Sequence, residues 1–442
     1  MNLKEQLKTG KKKLGVWGLG YIGFSSIAHF ARAGVTCLGT DVYEVRVNDV
    51  NHGKATIPNL DFWLGFNTKP LAEDGRMKAT TDWKQLINED VAVHLITIPT
   101  EMHGKPYHDI LIDVISKIST IKELNLEHPP LVIVESTLTP TAADNIVIPL
   151  FKENGLEVGK DILFGIAPRR DWFTSADKGL TMLPRVVGGT TPETTQKMVE
   201  ALGIICNTLI PAHDHKHASI VKSVENAYRQ LNIAFANQLS AAYPGMDMAS
   251  VLKMVGTKWN VETYHPSFGT GGYCIPLAPQ YVLEGAKYPE KLSLLKESLK
   301  TDFNQPETVV NSLVQRGVQK VAILGIAYTG DLKVHVLSPA LPIIKKLQEK
   351  GIDVKVHDPY YNTEEIQRLT GCESLPFPQG LHDRDTVVLV SPHMQYKYTT
   401  TIDILQHLGN AKLVLDNMGT WNDVPFPENI QYFEAGQANW LE

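Results

Sequence analysis

The chain has 442 residues, 43% of them hydrophobic and 20% charged, with 42 Lys and Arg against 48 Asp and Glu. That length suits two large domains or three ordinary ones, and the composition excludes disordered, collagen-like and fibrous classes. A net charge of −6, with Lys11 to Lys13 as the longest basic cluster, argues against nucleic acid as a partner.

The N-terminus, MNLKEQ, has no apolar leader, and no window reaches the roughly 18 to 20 apolar residues of a spanning helix, so neither secretion nor a membrane partner is expected. Residues 13 to 43 then read as strand, turn, amphipathic helix and strand. Gly18, Gly20 and Gly23 form G-x-G-x-x-G, with Tyr21 and Ile22 between the last two. The first glycine permits a tight turn, the second lets backbone approach a pyrophosphate, and the third lets the helix pack closely. Asp41 closes the second strand at about the 20-residue separation where a carboxylate accepts both ribose hydroxyls and repels a 2′-phosphate, which favours NAD over NADP.

Apolar strands at Val91 to Ile98 and Leu131 to Val134 extend the same parallel sheet, and polar residues at their C-terminal ends, among them Thr100, Glu135 and Thr137, face the cofactor. From about Pro192 to Tyr243 the pattern turns helical, with one long helix expected over ASIVKSVENAYRQLNIAFANQLSAAY. The glycine-rich loop His265 to Pro276 follows and holds Cys274. A second α/β unit opens near Lys320, with a helix in SPALPIIKKLQEKG and further strands in DVKVHDPY, at Thr386 to Val390 and at Lys412 to Leu415. The fold class expected is α/β, two doubly wound domains joined by a long central helix. The four cysteines, Cys37, Cys206, Cys274 and Cys372, form no CxxC pair, which suits reduced thiols in the cytoplasm. The run HDHKH, with His213, His215 and His217, reads as a polar loop, and no metal is expected.

Several of these segments resemble the nucleotide-sugar 6-dehydrogenases of the UDP-glucose/GDP-mannose dehydrogenase family: GVWGLGYIG, VESTLTP, KSVENAYRQLNIAFAN, PSFGTGGYC, and AILGIAY with SPAL and HDPY. The resemblance implies two Rossmann-like domains, NAD as cofactor, a nucleotide-sugar substrate and a homodimer formed through the central helix. It divides the chain into an NAD-binding domain (1–195), a central helical domain with the catalytic loop (196–305) and a C-terminal nucleotide-sugar-binding domain (306–442). It implies oxidation of a sugar C6 alcohol toward the carboxylate. Cys274 would be the covalent nucleophile, Lys222 and Asn226 would stabilise an oxyanion, and Glu135 would handle protons. Thr100 and Thr137 would line the cofactor, and Phe268 and Gly271 the substrate. The chemistry agrees, since an aldehyde becomes a hydride donor again once a thiolate adds to it. A spacing of four also places Lys222 and Asn226 on one helical face.

This chain departs from the family on the substrate side. Ala278 replaces the aspartate four residues after the cysteine, Arg169 and Arg170 follow Pro168 where the family has glutamate, and Thr329, Val336 and Leu337 interrupt its C-terminal motifs. Arg169 and Arg170, with Arg185, Lys333 and His335, could form a rearranged anion site, because arginine binds phosphate bidentately. Three alternatives stay open: a dehydrogenase that stops after one hydride, an isomerase that cycles its NAD, and a non-enzymatic NAD-binding dimer.

Overall fold

A computed structural model of the chain describes residues 1–55, 64–124, 126–172 and 178–442. They form two compact units, Met1–Glu225 with Gln280–Lys287, and Asn226–Pro279 with Tyr288–Glu442. The dividing point falls inside the helix His215–Ala242.

The first unit is built on β1 (Lys13–Trp17), β2 (Cys37–Thr40), β3 (Met77–Thr80), β4 (Val91–Ile96), β7 (Leu131–Val134), β8 (Leu163–Ile166), β9 (Arg185–Gly189) and β10 (Leu209–Pro211), with β5 (Glu101–Met102) and β6 (Lys105–Pro106) as a separate hairpin. The sheet order is β10-β9-β8-β7-β4-β1-β2-β3. Neighbours run parallel except β8 and β9, so the sheet is not wholly parallel. The chain leaves β1 for β2 and β3 on one side and crosses to β4 and β7 on the other. The order therefore reverses between β1 and β4, the place where doubly wound sheets open a ligand crevice beyond their strand ends. Every residue of β7 and β8 is buried, as expected where helices cover both faces. One face packs Phe24, Ile27 and Phe30 of the helix Tyr21–Arg32. The other packs Leu111, Ile115 and Ile118 of the helix Asp109–Ser119.

The helical stretch expected from Pro192 onward is interrupted. A helix spans Pro192–Leu202, β10 follows, and the long helix begins at His215. Three residues ending in proline suit an edge strand, where one side of the backbone needs no partner, and so short a strand leaves no period to read.

The second unit carries β11 (Lys320–Leu324), β12 (Asp353–His357), β13 (Glu373–Ser374), β14 (Thr386–Leu389), β15 (Leu413–Asp416) and β16 (Gln431–Glu434) in the order β13-β12-β11-β14-β15-β16, all parallel. The helix Ala340–Glu349 buries Ile343, Ile344 and Leu347 on one face, and Leu381, Tyr396 and Trp421 cover the other. The helix Ser293–Gln315 adds Val309, Val310 and Leu313 to the first of these cores.

Candidate active site

The glycine turn of the first unit has the geometry of a dinucleotide cradle. Gly18 has φ +89°, and a Cβ there would sit 3.0 Å from the Thr97 carbonyl. A Cβ on Gly23 would fall 1.8 Å from the Gly18 carbonyl, so the helix Tyr21–Arg32 can lie this close to β1 only with hydrogen at that position. Gly20 differs, because nothing lies within 4 Å of where its Cβ would be. It is the N-cap of that helix and caps it with no side chain, which suits the helix N-terminus to an anion. Asp41 is buried just beyond β2 and accepts the Leu19 amide at 2.7 Å and the Tyr43 amide at 3.0 Å, with Arg46 at 3.3 Å. A helix N-terminus for the pyrophosphate and a fixed carboxylate for the ribose fit NAD.

Thr100 and Thr137 are tied together by a bond from the Thr100 hydroxyl to the Thr137 carbonyl at 2.6 Å. The Tyr281 hydroxyl donates to the Thr100 carbonyl at 2.6 Å. Tyr281 was not legible as a site residue, since it sits in an ordinary helical stretch far along the chain.

Glu135 is buried at the end of β7, where it accepts Arg185 Nη2 at 2.6 Å and the Ser26 hydroxyl at 2.6 Å. Arg169 lies beside it. Its Nε and Nη2 reach the two Asp171 oxygens at 2.6 and 2.7 Å, and its Nη1 and Nη2 reach Ser26 and Ser25 at 2.7 and 2.9 Å. Burial opposes ionisation of Asp171, but the charge and hydrogen bonds of Arg169 outweigh it and hold the carboxyl at about 2. Arg170 pairs with Glu225 and donates to the Pro184 carbonyl at 2.8 Å. The rearranged anion site expected from these arginines therefore differs from what is found: Arg169 is 2% exposed, and Arg169, Arg170 and Arg185 all make ion pairs inside the unit. Lys333 is likewise paired, with Glu365 at 2.7 Å, and His335 meets the Tyr361 hydroxyl at 3.1 Å.

In the second unit the loop around Cys274 is clamped along its length. Asn237 accepts the Ser267 amide at 2.7 Å, Asn417 the Phe268 amide at 2.8 Å, Asp302 the Thr270 amide at 2.8 Å and its hydroxyl at 2.5 Å, and Val336 the Gly272 amide at 2.8 Å. Gly271 and Gly272 make room for Tyr328, whose atoms would lie 2.6 and 2.9 Å from a Cβ at the two positions. Burial, and then the neighbouring Cys274 sulfur, push the Tyr328 phenol up to about 12. Cys274 is exposed, while Cys37, Cys206 and Cys372 are buried. Phe268, expected to line substrate, is fully buried and stacks on Trp440 with ring centroids 6.0 Å apart, so it anchors the loop from the core side. Ala278 is 3% exposed and opens the helix Ala278–Glu284, its amide donating to the Cys274 carbonyl at 3.0 Å. Lys222 and Asn226 stand four residues apart on the helix His215–Ala242 and are half-buried.

Three family models match this chain, all of the UDP-glucose/GDP-mannose dehydrogenase family: the NAD-binding domain over residues 12–203, the central domain over 216–303 and the UDP-binding domain over 322–423. Among similar curated proteins, a UDP-N-acetyl-D-mannosamine dehydrogenase of Methanococcus aeolicus is 27% identical over 100% of this chain and 99% of its own length. A UDP-N-acetyl-D-glucosamine 6-dehydrogenase of Pseudomonas aeruginosa is 26% identical over 91% of this chain and 95% of its own. The fold is that of a solved UDP-D-ManNAc dehydrogenase from Pyrococcus horikoshii, with a TM-score of 0.84 and 23% identity over 97% of this chain and 100% of that one.

Proposed function

The chain belongs to the UDP-glucose/GDP-mannose dehydrogenase family of NAD-dependent oxidoreductases acting on CH–OH, and from that premise we propose that it oxidises the C6 alcohol of a UDP-linked sugar through a covalent bond to Cys274. The observation that carries this reading is the cysteine itself: one exposed thiol on a loop clamped by Asn237, Asn417, Asp302 and Val336, while the other three are buried.

NAD, held by the turn around Gly18, Gly20 and Gly23 and by Asp41, supplies the hydride acceptor. The Cys274 thiolate adds to the C6 aldehyde, forming a carbon–sulfur bond and converting the carbonyl to an oxyanion. Lys222 and Asn226 stabilise that charge; loss of a second hydride from this adduct to NAD leaves a thioester, and water then adds as the carbon–sulfur bond breaks, releasing the carboxylate and the Cys274 thiolate. Glu135, held between Arg185 and Ser26, acts as a fixed carboxylate that orients the site and not as a mobile base. The similar proteins act on UDP-N-acetylhexosamines, and we take that class as the first substrates to test. The helix His215–Ala242 leaves Tyr228 and Phe235 65% and 56% exposed, which supports a homodimer formed through it.

Ala278 favours a second reading, in which release from the enzyme lacks carboxylate assistance or the reaction stops after one hydride. NADH absorbance against UDP-, GDP- and dTDP-hexoses and UDP-N-acetylhexosamines, with intact-mass spectrometry on the same samples, separates the readings. Two NADH per sugar with free uronic acid supports complete oxidation, and C274S should then stop at the aldehyde stage. Two NADH per chain in a single turnover, with acyl mass added at Cys274, marks a stranded thioester. One NADH per sugar with free aldehyde marks a single-hydride enzyme, and turnover without net NADH marks an isomerase. No reaction with any sugar despite NAD binding would sink the proposal.

A further inference from the structure

The HDHKH run, which straddles the start of the helix His215–Ala242, is not used by the chemistry above. The alternating histidines do not end up together. His215 turns inward to Asp144 at 3.1 Å, and Lys216 follows it to the same carboxylate at 3.1 Å. His213 and His217 instead converge on Asp214, with His213 Nδ1 3.3 Å from Oδ2 and His217 Nδ1 2.8 Å from Oδ1, their ring centroids 5.2 Å apart.

We propose that His213, Asp214 and His217 form a binding site for a divalent transition metal of the zinc class, outside the catalytic machinery. The three donor atoms lie within 4.8 Å of one another. Zinc bound to nitrogen and carboxylate oxygen at about 2.0 to 2.2 Å sets neighbouring donors about 2.9 to 3.5 Å apart, depending on coordination number. The two nitrogen–oxygen separations here are therefore nearly those of a ligand edge. Two imidazoles and one carboxylate are a donor set for borderline ions, and the remaining positions stay open to water. One further feature suits a cation: Lys216, the nearest competing cation in sequence, is drawn off to Asp144. The positive end of the helix opposes a cation, and the Asp214 charge offsets that opposition. Both histidines are mostly exposed, so an ion reaches them without moving the backbone.

The test uses the full-length protein titrated with zinc chloride by calorimetry and with cobalt chloride by visible absorption. One ion per chain is expected, with a cobalt spectrum free of thiolate charge-transfer bands. His213→Asn and His217→Asn should each weaken binding by about tenfold or more, since even changes to outer-shell partners cost that much. His215→Asn should leave binding unchanged. Asp214 still caps the helix in all three variants, so their far-ultraviolet dichroism should match wild type. No zinc uptake by the wild type, uptake that survives the His213→Asn/His217→Asn double variant, or a thiolate band that marks Cys274 as the ligand would each overturn the proposal. The measurement does not depend on catalysis, so it fails or succeeds independently of the assigned reaction.

Discussion

Arg169 and Asp171 form a buried ion pair whose partners cannot be removed singly without cost. Asp171→Asn should destabilise the first unit by about 3 kcal/mol at neutral pH, because it removes the bidentate partner of a desolvated guanidinium and leaves it Glu135 at 3.9 Å. The pH dependence has a definite sign. The Asp171 carboxyl sits at about 2 in the folded chain against 3.8 ordinarily, so its stabilisation is present above 3.8 and is lost as pH falls toward 2. Urea midpoints for wild type and variant should therefore converge over that interval. A gap that stays constant down to pH 2 would mean the ion pair is not its source. Two glycines allow a cleaner separation of folding from binding. Gly23→Ala forces its methyl into the Gly18 carbonyl and should lower thermal stability and NAD affinity together. Gly20→Ala meets no protein atom, so its melting temperature should stay near wild type while NAD affinity, read by fluorescence titration, falls about tenfold or more, equivalent to at least about 1.4 kcal/mol. Equal effects of the two substitutions on melting would refute the reading of Gly20 as the position that faces the phosphate.

The Cys274 loop has no regular backbone pattern, so its shape depends on acceptors contributed by distant segments. Asn417→Ala removes the acceptor of the buried Phe268 amide and should cost about 1 to 3 kcal/mol, with turnover falling and the Michaelis constant for NAD unchanged. A rise in that constant instead would show that the loop also shapes the cofactor site. Sequence reasoning reached the loop because three glycines and a cysteine in one short stretch are conspicuous. It missed the clamps, because Asn237, Asp302 and Asn417 lie in segments whose local patterns say only helix or strand end. The strand–glycine–helix–strand unit was legible down to Asp41, since each part has a local signature. β10 was not, being three residues long. The aromatic at 268 was placed on the wrong side of the loop, because composition cannot tell a ring that faces a ligand from one that faces a core. Arg169 and Arg170 misled for a related reason: their partners Asp171 and Glu225 were visible as acids, but nothing in their spacing announces a pair.

Each unit carries the same device at the first crossover of its sheet. Asp41 follows β2 and accepts the Leu19 amide from the turn after β1, and Asp358 follows β12 and accepts the Ile326 and Ala327 amides from the turn after β11, at 2.8 and 3.2 Å. In the second unit buried His393 also reaches that carboxylate, at 3.1 Å. Hydrogen exchange should consequently report two ligands in two places: added NAD protecting residues 13–41, and added UDP protecting segments within 322–423, the stretch matched as UDP-binding. Protection of the first unit by both would overturn that assignment. None of the described helices is long and apolar enough to cross a membrane. The unequal exposure of the four thiols has a consequence for how the molecule is inactivated. With Cys37, Cys206 and Cys372 shielded, Cys274 is the thiol among the four that a thiol reagent meets while the fold is intact. Alkylation should then follow single-hit kinetics, one thiol lost for each molecule silenced, and a bulky thiol reagent should count active sites before it begins to count cysteines.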